Sequence, residues 1–399
     1  MKRKAVSVWL SILCLFTAIP AAEMLSMAPV LAEEEEELPE ESGTKWEEQI
    51  PELDGLVYEK QMDFDYVECV DIYYFEGGYK FFDVYDSAQY LLIPAGGEVH
   101  AGLDKNVTVI QAPLQNVYMA ATGSMALVNA IGGLDQIGFS SLTADGWYVQ
   151  EAADAMNAGN ILFAGKYSEP DYELLLGSGC DLAVESTMIL HTPKVQEMLE
   201  NLGIPVFIDR SSYESHPLGR PEWAKVYGAL LDKEEEAAAF FEEQNQVMED
   251  LDDFENTGKT VAFFSVNSDG SVVVRRQDDS VPKMIELAGG RYILDGVQAI
   301  EESKRSSVTI SLEEFYSDAI DADYLVYNST IQAPIRSIDN LLDKSELFAD
   351  FKAVQEGNVW CANKYLYQAT DIVGQLIRDF HHMLTDGDAQ QMTFLQKID

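Results

Sequence analysis

The stretch from Arg220 to about Phe254 constrains the fold more than any other part of the chain. It opens with Pro221, whose missing N–H costs nothing in a first helical turn. It continues through Ala237-Ala238-Ala239 and many glutamates, all good helix formers. Its apolar residues, among them Tyr227, Leu230, Leu231, Phe240, Phe241 and Leu251, do not fall on one narrow stripe. Read as one helix over 220–255, it would reach about 50 Å at the helical rise of about 1.5 Å per residue, longer than a compact domain needs. Near the middle of a chain of 399 residues, such a helix predicts a connector between two halves.

Both flanks of this connector alternate short apolar runs with helix-length segments, the pattern of parallel βαβ units. Before it, strands are predicted at 107–111, 136–139, 181–184 and 206–208, and helices at 116–131 and 193–202. After it come a strand at Thr260–Val266, a turn at Asn267-Ser268-Asp269-Gly270 and a partner strand to Arg275. A helix over 281–287 closed by Gly289-Gly290, a strand at 324–327, an edge strand at 358–360 and a last helix over 368–384 complete that half. Between Met62 and Ile93, aromatic and β-branched runs broken by Glu76-Gly77-Gly78 predict a β-meander. The fold class is α/β: two lobes joined by one long helix, with an extra N-terminal β-rich segment. The expected divisions are 61–219 for the N-terminal lobe, 220–255 for the connecting helix and 256–399 for the C-terminal lobe.

The first 60 residues read differently. Lys2, Arg3 and Lys4 precede an uncharged apolar run from Ala5 to Ala22, and Val30-Leu31-Ala32 ends in a small-residue site. That order predicts a secretory signal over 1–32 and an exported, extracytoplasmic protein, with an uncleaved signal anchor as the competing reading. Cys14 follows Leu13 inside the apolar run, a poor context for lipid attachment. Residues 33–60 open with Glu33 to Glu37 and predict an acidic disordered linker. A formal net charge of −43 repels nucleic acid and anionic lipid, whose binding depends on Lys and Arg. Cys69, Cys180 and Cys361 match no metal spacing, and each reads as a small buried hydrophobe rather than part of a disulfide scaffold.

Several phrases, in order, resemble the class III ABC substrate-binding proteins, which capture ferric siderophores, haem or cobalamin. They are Asp171-Tyr172-Glu173-Leu174-Leu175-Leu176 leading into Cys180-Asp181-Leu182-Ala183-Val184, where Cys180 stands for the usual proline, and Gly203-Ile204-Pro205-Val206-Phe207. Lys283 to Gly290, Ile310-Ser311-Leu312-Glu313-Glu314-Phe315 before Asp323-Tyr324-Leu325-Val326-Tyr327, and Val354 to Trp360 continue the series. Together they span about residues 107–385. The resemblance implies two Rossmann-like lobes and a monomer that captures an iron complex or a corrinoid between them. It implies no cofactor of its own, and delivery to an ABC permease with a separate ATPase subunit. It also implies a surface glutamate on each lobe that pairs with permease arginines. By position these are Glu173 and Glu313, with Glu314 as rival to the second.

In that family, and in open α/β sheets generally, ligands sit at the C-terminal ends of the strands. The loops there carry the candidate ligand residues Trp147, Tyr167, Glu185, Ser186, Met188, Arg210, Ser212, Tyr213, Arg275 and Asn328. Arg210, Arg220, Arg275 and Arg276 could clamp an anionic chelate or pair with the many nearby acids. Trp147, Tyr167 and Tyr213 could stack on a planar ligand or lie in the core. Met188, His191 and His216 are potential iron ligands, although a lone His or Met is more often ordinary packing. No nucleotide-binding lysine loop, H-E-x-x-H or G-x-S-x-G is present, and only five histidines are available for acid–base work. An exported hydrolase built on a carboxylate pair, or a surface adhesion or carbohydrate-binding module, are the alternatives.

Overall fold

The computed structural model describes residues 50–99, 102–251, 254–294, 296, 307–330, 332–385 and 391–399. The expected signal at 1–32 and linker residues 33–49 lie outside these. The linker does not extend to residue 60. Leu53 and Leu56 already pack on the first sheet, and β1 begins at Tyr58.

That first sheet holds β1 (Tyr58–Gln61), β2 (Val70–Phe75), β3 (Tyr79–Val84), β4 (Ala88–Ile93) and β5 (Val107–Gln111) in sequential order. The meander is as predicted; Gly77 and Gly78, both at φ +84°, make the turn that a Cβ would strain. Period-2 alternation sends Val70, Ile72, Phe82, Val84, Tyr90 and Leu92 inward and Tyr73, Phe75, Phe81, Leu91 and Ile93 to a second, outer cluster. β5 is a departure from expectation. It pairs parallel with β4 and closes the meander instead of opening the α/β sheet.

The α/β sheet starts at β6 (Val117–Met119), followed by α1 (Thr122–Ala130). The single helix expected over 116–131 is therefore a buried strand and a shorter helix, because a short all-apolar run fits either state. Next come β7 (Ile137–Ser140), α2 (Gln150–Asn157) and β8 (Leu162–Phe163). The hairpin β9 (Gly165–Lys166) and β10 (Glu169–Pro170) leads to α3 (Tyr172–Gly177). β11 (Leu182–Ser186), α4 (Pro193–Asn201) and β12 (Val206–Asp209) complete the lobe. The strands run parallel in the order β12-β11-β6-β7-β8.

The connector is not one helix. It consists of α5 (Gly219–Glu222), α6 (Ala224–Leu231) and α7 (Glu234–Leu251). Asp232 ends α6 in the left-handed region at φ +58°. The chain then turns back so closely that a Cβ on Gly228 would lie 2.8 Å from that of Ala237. α5 and α6 belong to the N-terminal lobe: Trp223, Val226, Tyr227 and Leu230 are in its core. Of the three, α7, about 27 Å long, runs from one lobe to the other; Phe241 and Val247 enter the C-terminal core.

The second lobe is built on β13 (Thr260–Val266), β14 (Val272–Arg275), β15 (Arg291–Tyr292) and β16 (Ser307–Ile310). β17 (Tyr324–Asn328), β18 (Val359–Ala362) and β19 (Leu395–Lys397) extend the sheet, whose order is β16-β14-β13-β17-β18-β19 with β15 also on β13. Around it lie α8 (Ser280–Leu287), α9 (Leu312–Ala319), α10 (Ile338–Leu342), α11 (Lys352–Gln355) and α12 (Val373–Thr385). β18 is not an edge strand, because the returning chain tail adds β19 antiparallel to it. The helix expected from residue 368 begins only at Val373, after 3₁₀ turns at Lys364–Tyr367 and Thr370–Ile372.

The junction of the two lobes as candidate binding site

The loop after β12 meets α8 of the other lobe, where Lys283 Nζ donates to the Ser215 carbonyl at 2.7 Å. Within that loop Arg220 donates Nη2 to the Ser212 carbonyl at 3.1 Å, while its buried Nε has no acceptor. Burial lowers the Arg220 pKa. Asp279, the N-cap of α8, opposes that shift, and the Arg275 charge adds to it. Arg275 lies 3.9 Å from Asp279. Two guanidinium groups, one per lobe, thus act on one another electrostatically, with Asp279 beside both.

Beneath Arg220, Asp209 closes the end of β12. It accepts from Ser124 Oγ (2.7 Å), from Tyr227 and from Ser211 N and Oγ (2.9 and 2.6 Å). Burial, then the Asp209 charge, pushes the Tyr227 phenol well up. Asp209 is saturated and positions the loop.

The other predicted residues divide into inward and outward sets. Trp147 is core, and its indole N–H is spent on Ser140 Oγ at 3.0 Å; its neighbour Tyr148 is the exposed ring. Tyr167 is half-buried against the cluster of Leu175 and Val195 on the outer face of the parallel sheet. Ser186 Oγ accepts the Met188 N–H (3.4 Å) and caps the 3₁₀ turn Thr187–His191, leaving Met188 half-buried. Arg210 is drawn to the meander: Nη1 donates to Asp86 O at 3.0 Å, and its guanidinium lies 4.7 Å from the exposed Tyr213 ring. Ser212 is exposed. Asn328 ends β17 with its Oδ1 accepting from Thr330 N and Oγ1. Arg276 is bidentate to Asp278. His216 stacks on Tyr66 at 4.2 Å, and His191 is exposed. Among the described residues, no three His, Cys, Asp or Glu side chains converge to hold a metal ion.

Glu185 stands apart. It is fully buried on β11 beside Ile208 of β12, and neither carboxylate oxygen has a hydrogen-bond partner. Desolvation pushes its pKa well above the carboxylate range.

Glu173 and Glu313 occupy matching places. Each is exposed in the first turn of a helix, two residues after its N-cap: Asp171 before α3 and Ser311 before α9. Each helix feeds a central strand of its lobe's sheet, β11 or β17. A carboxylate there also favours its own helix through the helix dipole.

Sequence reasoning missed the segment 363–372. It leaves the end of β18 and crosses to the N-terminal lobe, where Gln368 donates Nε2 to Gly146 O (2.8 Å) and accepts the Tyr148 N–H (2.7 Å). A Cβ on Gly123 of α1 would come within 2.9 Å of Thr370 Oγ1. Nothing in the local sequence marks these contacts, which form between positions more than 200 residues apart.

Two α/β lobes bridged by one helix, with loop chemistry gathered at their junction, define a bilobal solute-binding architecture. Residues 119–366, more than half of the chain, match the periplasmic binding protein family, and the protein belongs to it; its class is that of the class III ABC substrate-binding proteins. An uncharacterized lipoprotein of Methanocaldococcus jannaschii is 26% identical over 279 residues, 67% of this chain and 64% of that relative. The matched part therefore spans less than two thirds of the relative's length. Among solved structures, the periplasmic haem-binding protein HutB of Vibrio cholerae superposes with a TM-score of 0.55 at 16% identity, over 68% of this chain and 100% of that one. The petrobactin-binding protein YclQ of Bacillus subtilis gives 0.54 at 14%, over 69% and 94%. At these identities the likeness is one of fold. The first sheet precedes the matched residues and is an addition to them.

Proposed function

We propose that this protein is the extracytoplasmic binding subunit of an ABC importer, and that it captures an anionic iron chelate at the lobe junction. The observation that carries the ligand class is that the charges of Arg220 and Arg275, one from each lobe, act on one another, in a chain with only 26 basic residues against 69 acids. An anionic ligand there adds a counter-charge to both arginines beyond that of Asp279 and draws the lobes together. A haem, through its carboxylates, meets the same requirement. A neutral corrinoid does not use it.

Delivery would follow from Glu173 and Glu313, two exposed carboxylates in equivalent places on the two lobes. Two separated charges fix the orientation of an encounter and steer it more than they strengthen it. This makes the protein a carrier rather than a catalyst, with the permease and ATPase as separate chains.

Thermal-shift screening against a ferric tris-catecholate, a neutral ferric hydroxamate, haemin and cyanocobalamin tests the assignment. The anionic complexes should raise the melting temperature at saturation. Stabilisation by sugars or peptides, with none from the four chelates, contradicts it.

A further inference from the structure

The 3₁₀ turns at 364–367 and 370–372 form a strap from the C-terminal lobe across the junction. Gln368, almost fully buried, is its pin; its amide satisfies both a carbonyl and an N–H of the 146–148 loop, an arrangement available only while the lobes are together. Three residues on, Asp371 lies in the second turn of the strap. Its Oδ1 is buried without a side-chain partner, and its Oδ2 accepts a long bond from Tyr365 Oη (3.4 Å). From α2, Glu151 adds a like charge.

Among the described residues, neither the strap's own Lys364 nor a cation on the other elements packed on the strap pairs with either carboxylate. α1 has no titratable side chain. On α5, Arg220 is turned to Ser212, and Glu222 to the amides of residues 65–67 and to Lys225. Arg378 of α12 is turned to Asp250. An ionised Asp371 is therefore destabilised where it sits, whereas its protonated form is tolerated.

We propose that this strap is a pH-sensitive latch on the binding cleft: a protonated Asp371 keeps it fastened across the lobes, and ionisation of Asp371 beside Glu151 loosens it. Burial raises the docked carboxyl to about 6, against the opposing pull of its own backbone N–H and of the Tyr365 hydroxyl, with the Glu151 charge adding a smaller push. Once undocked, the group returns to the ordinary range near 4. The sign follows from linkage. A carboxyl with a higher pKa in the fastened state favours that state at low pH. The preference falls by roughly tenfold per pH unit between about 4 and 6, about 100-fold in all, and is level above that. The cleft would hold its contents more firmly in acid and exchange them more readily at neutral pH. That consequence rests on the binding-protein reading; the latch itself does not.

Hydrogen exchange on the full chain without ligand, corrected for the intrinsic pH dependence, tests it between pH 4.5 and 7.5. Protection of 146–148 and 364–372 should fall as pH rises to about 6 and then level. Asp371→Asn should hold it high throughout, and Gln368→Ala should lose it at every pH. A flat wild-type profile, or a D371N profile with the wild-type slope, overturns the proposal. Should D371N fail to fold, Glu151→Gln carries the test. Relief of the repulsion should retain more protection above pH 6, and a curve superimposable on wild type counts against the latch. Because no ligand is present, these outcomes are independent of whether the cleft binds an iron chelate.

Discussion

At the scale of single residues, buried carboxylates are used here in two opposite ways. Glu222 is fully buried and accepts from Asp65 N (2.8 Å), Tyr66 N (2.7 Å) and Val67 N (3.0 Å), with Lys225 at 2.6 Å. Glu222→Ala leaves those donors buried and unpaired, and should lower unfolding stability by about 3 kcal/mol or more in chemical denaturation. Glu185 has no such partners. Its raised carboxyl makes the fold lose stability as pH rises above the unfolded value near 4.5 towards the folded pKa. Glu185→Gln should remove that slope and be more stable than wild type at pH 7 in chemical denaturation. Equal stability at pH 7 would place an unseen donor on Glu185. The contrast also shows what a sequence conceals. Glu185 and Trp147 were legible as residues near strand ends, but the direction a side chain takes is set by register. One position decides that Trp147 enters the core while Tyr148 stays outside.

At the scale of elements, the added N-terminal sheet grips the connector where it is weakest. Lys80 on β3 reaches the α6–α7 break, donating to Ala229 O (2.9 Å) and pairing with Glu234 at 2.5 Å. Glu234 also receives the Tyr74 phenol, and Tyr66 donates to Asn245 of α7 at 2.9 Å. Lys80→Met keeps the stem packing and removes the charge that holds the first turn of α7. It should cost about 2–4 kcal/mol and speed hydrogen exchange at 232–240 while leaving the C-terminal lobe unchanged; exchange that rises uniformly would refute a local splint. Most strands, the meander and the helical character of α7 were readable from apolar period and turn residues. The break at Asp232 was not, because helix-forming composition is continuous through it, and the turn is imposed by packing of Gly228 on Ala237. The strand Val117–Met119 was hidden for a related reason: a short central strand is apolar throughout and carries no period.

At the scale of the whole molecule, two acidic lobes are joined by one helix, one strap and the charges of a shared junction. Double charge reversal, Glu173→Lys with Glu313→Lys, should abolish delivery to the cognate permease and leave chelate affinity unchanged. Both residues are exposed, so an equal loss of affinity would show that they serve the cleft instead. The central claim is that an anionic cargo is held by arginines of both lobes. Equilibrium titration of the ferric tris-catecholate on wild type and Arg275→Ala, followed by quenching of tryptophan fluorescence, tests it most directly. Loss of one charge-assisted contact of about 1.5–3 kcal/mol predicts 10- to 100-fold weaker binding, with no change for the neutral hydroxamate complex. Equal affinity of wild type and Arg275→Ala for the anionic complex would contradict the account.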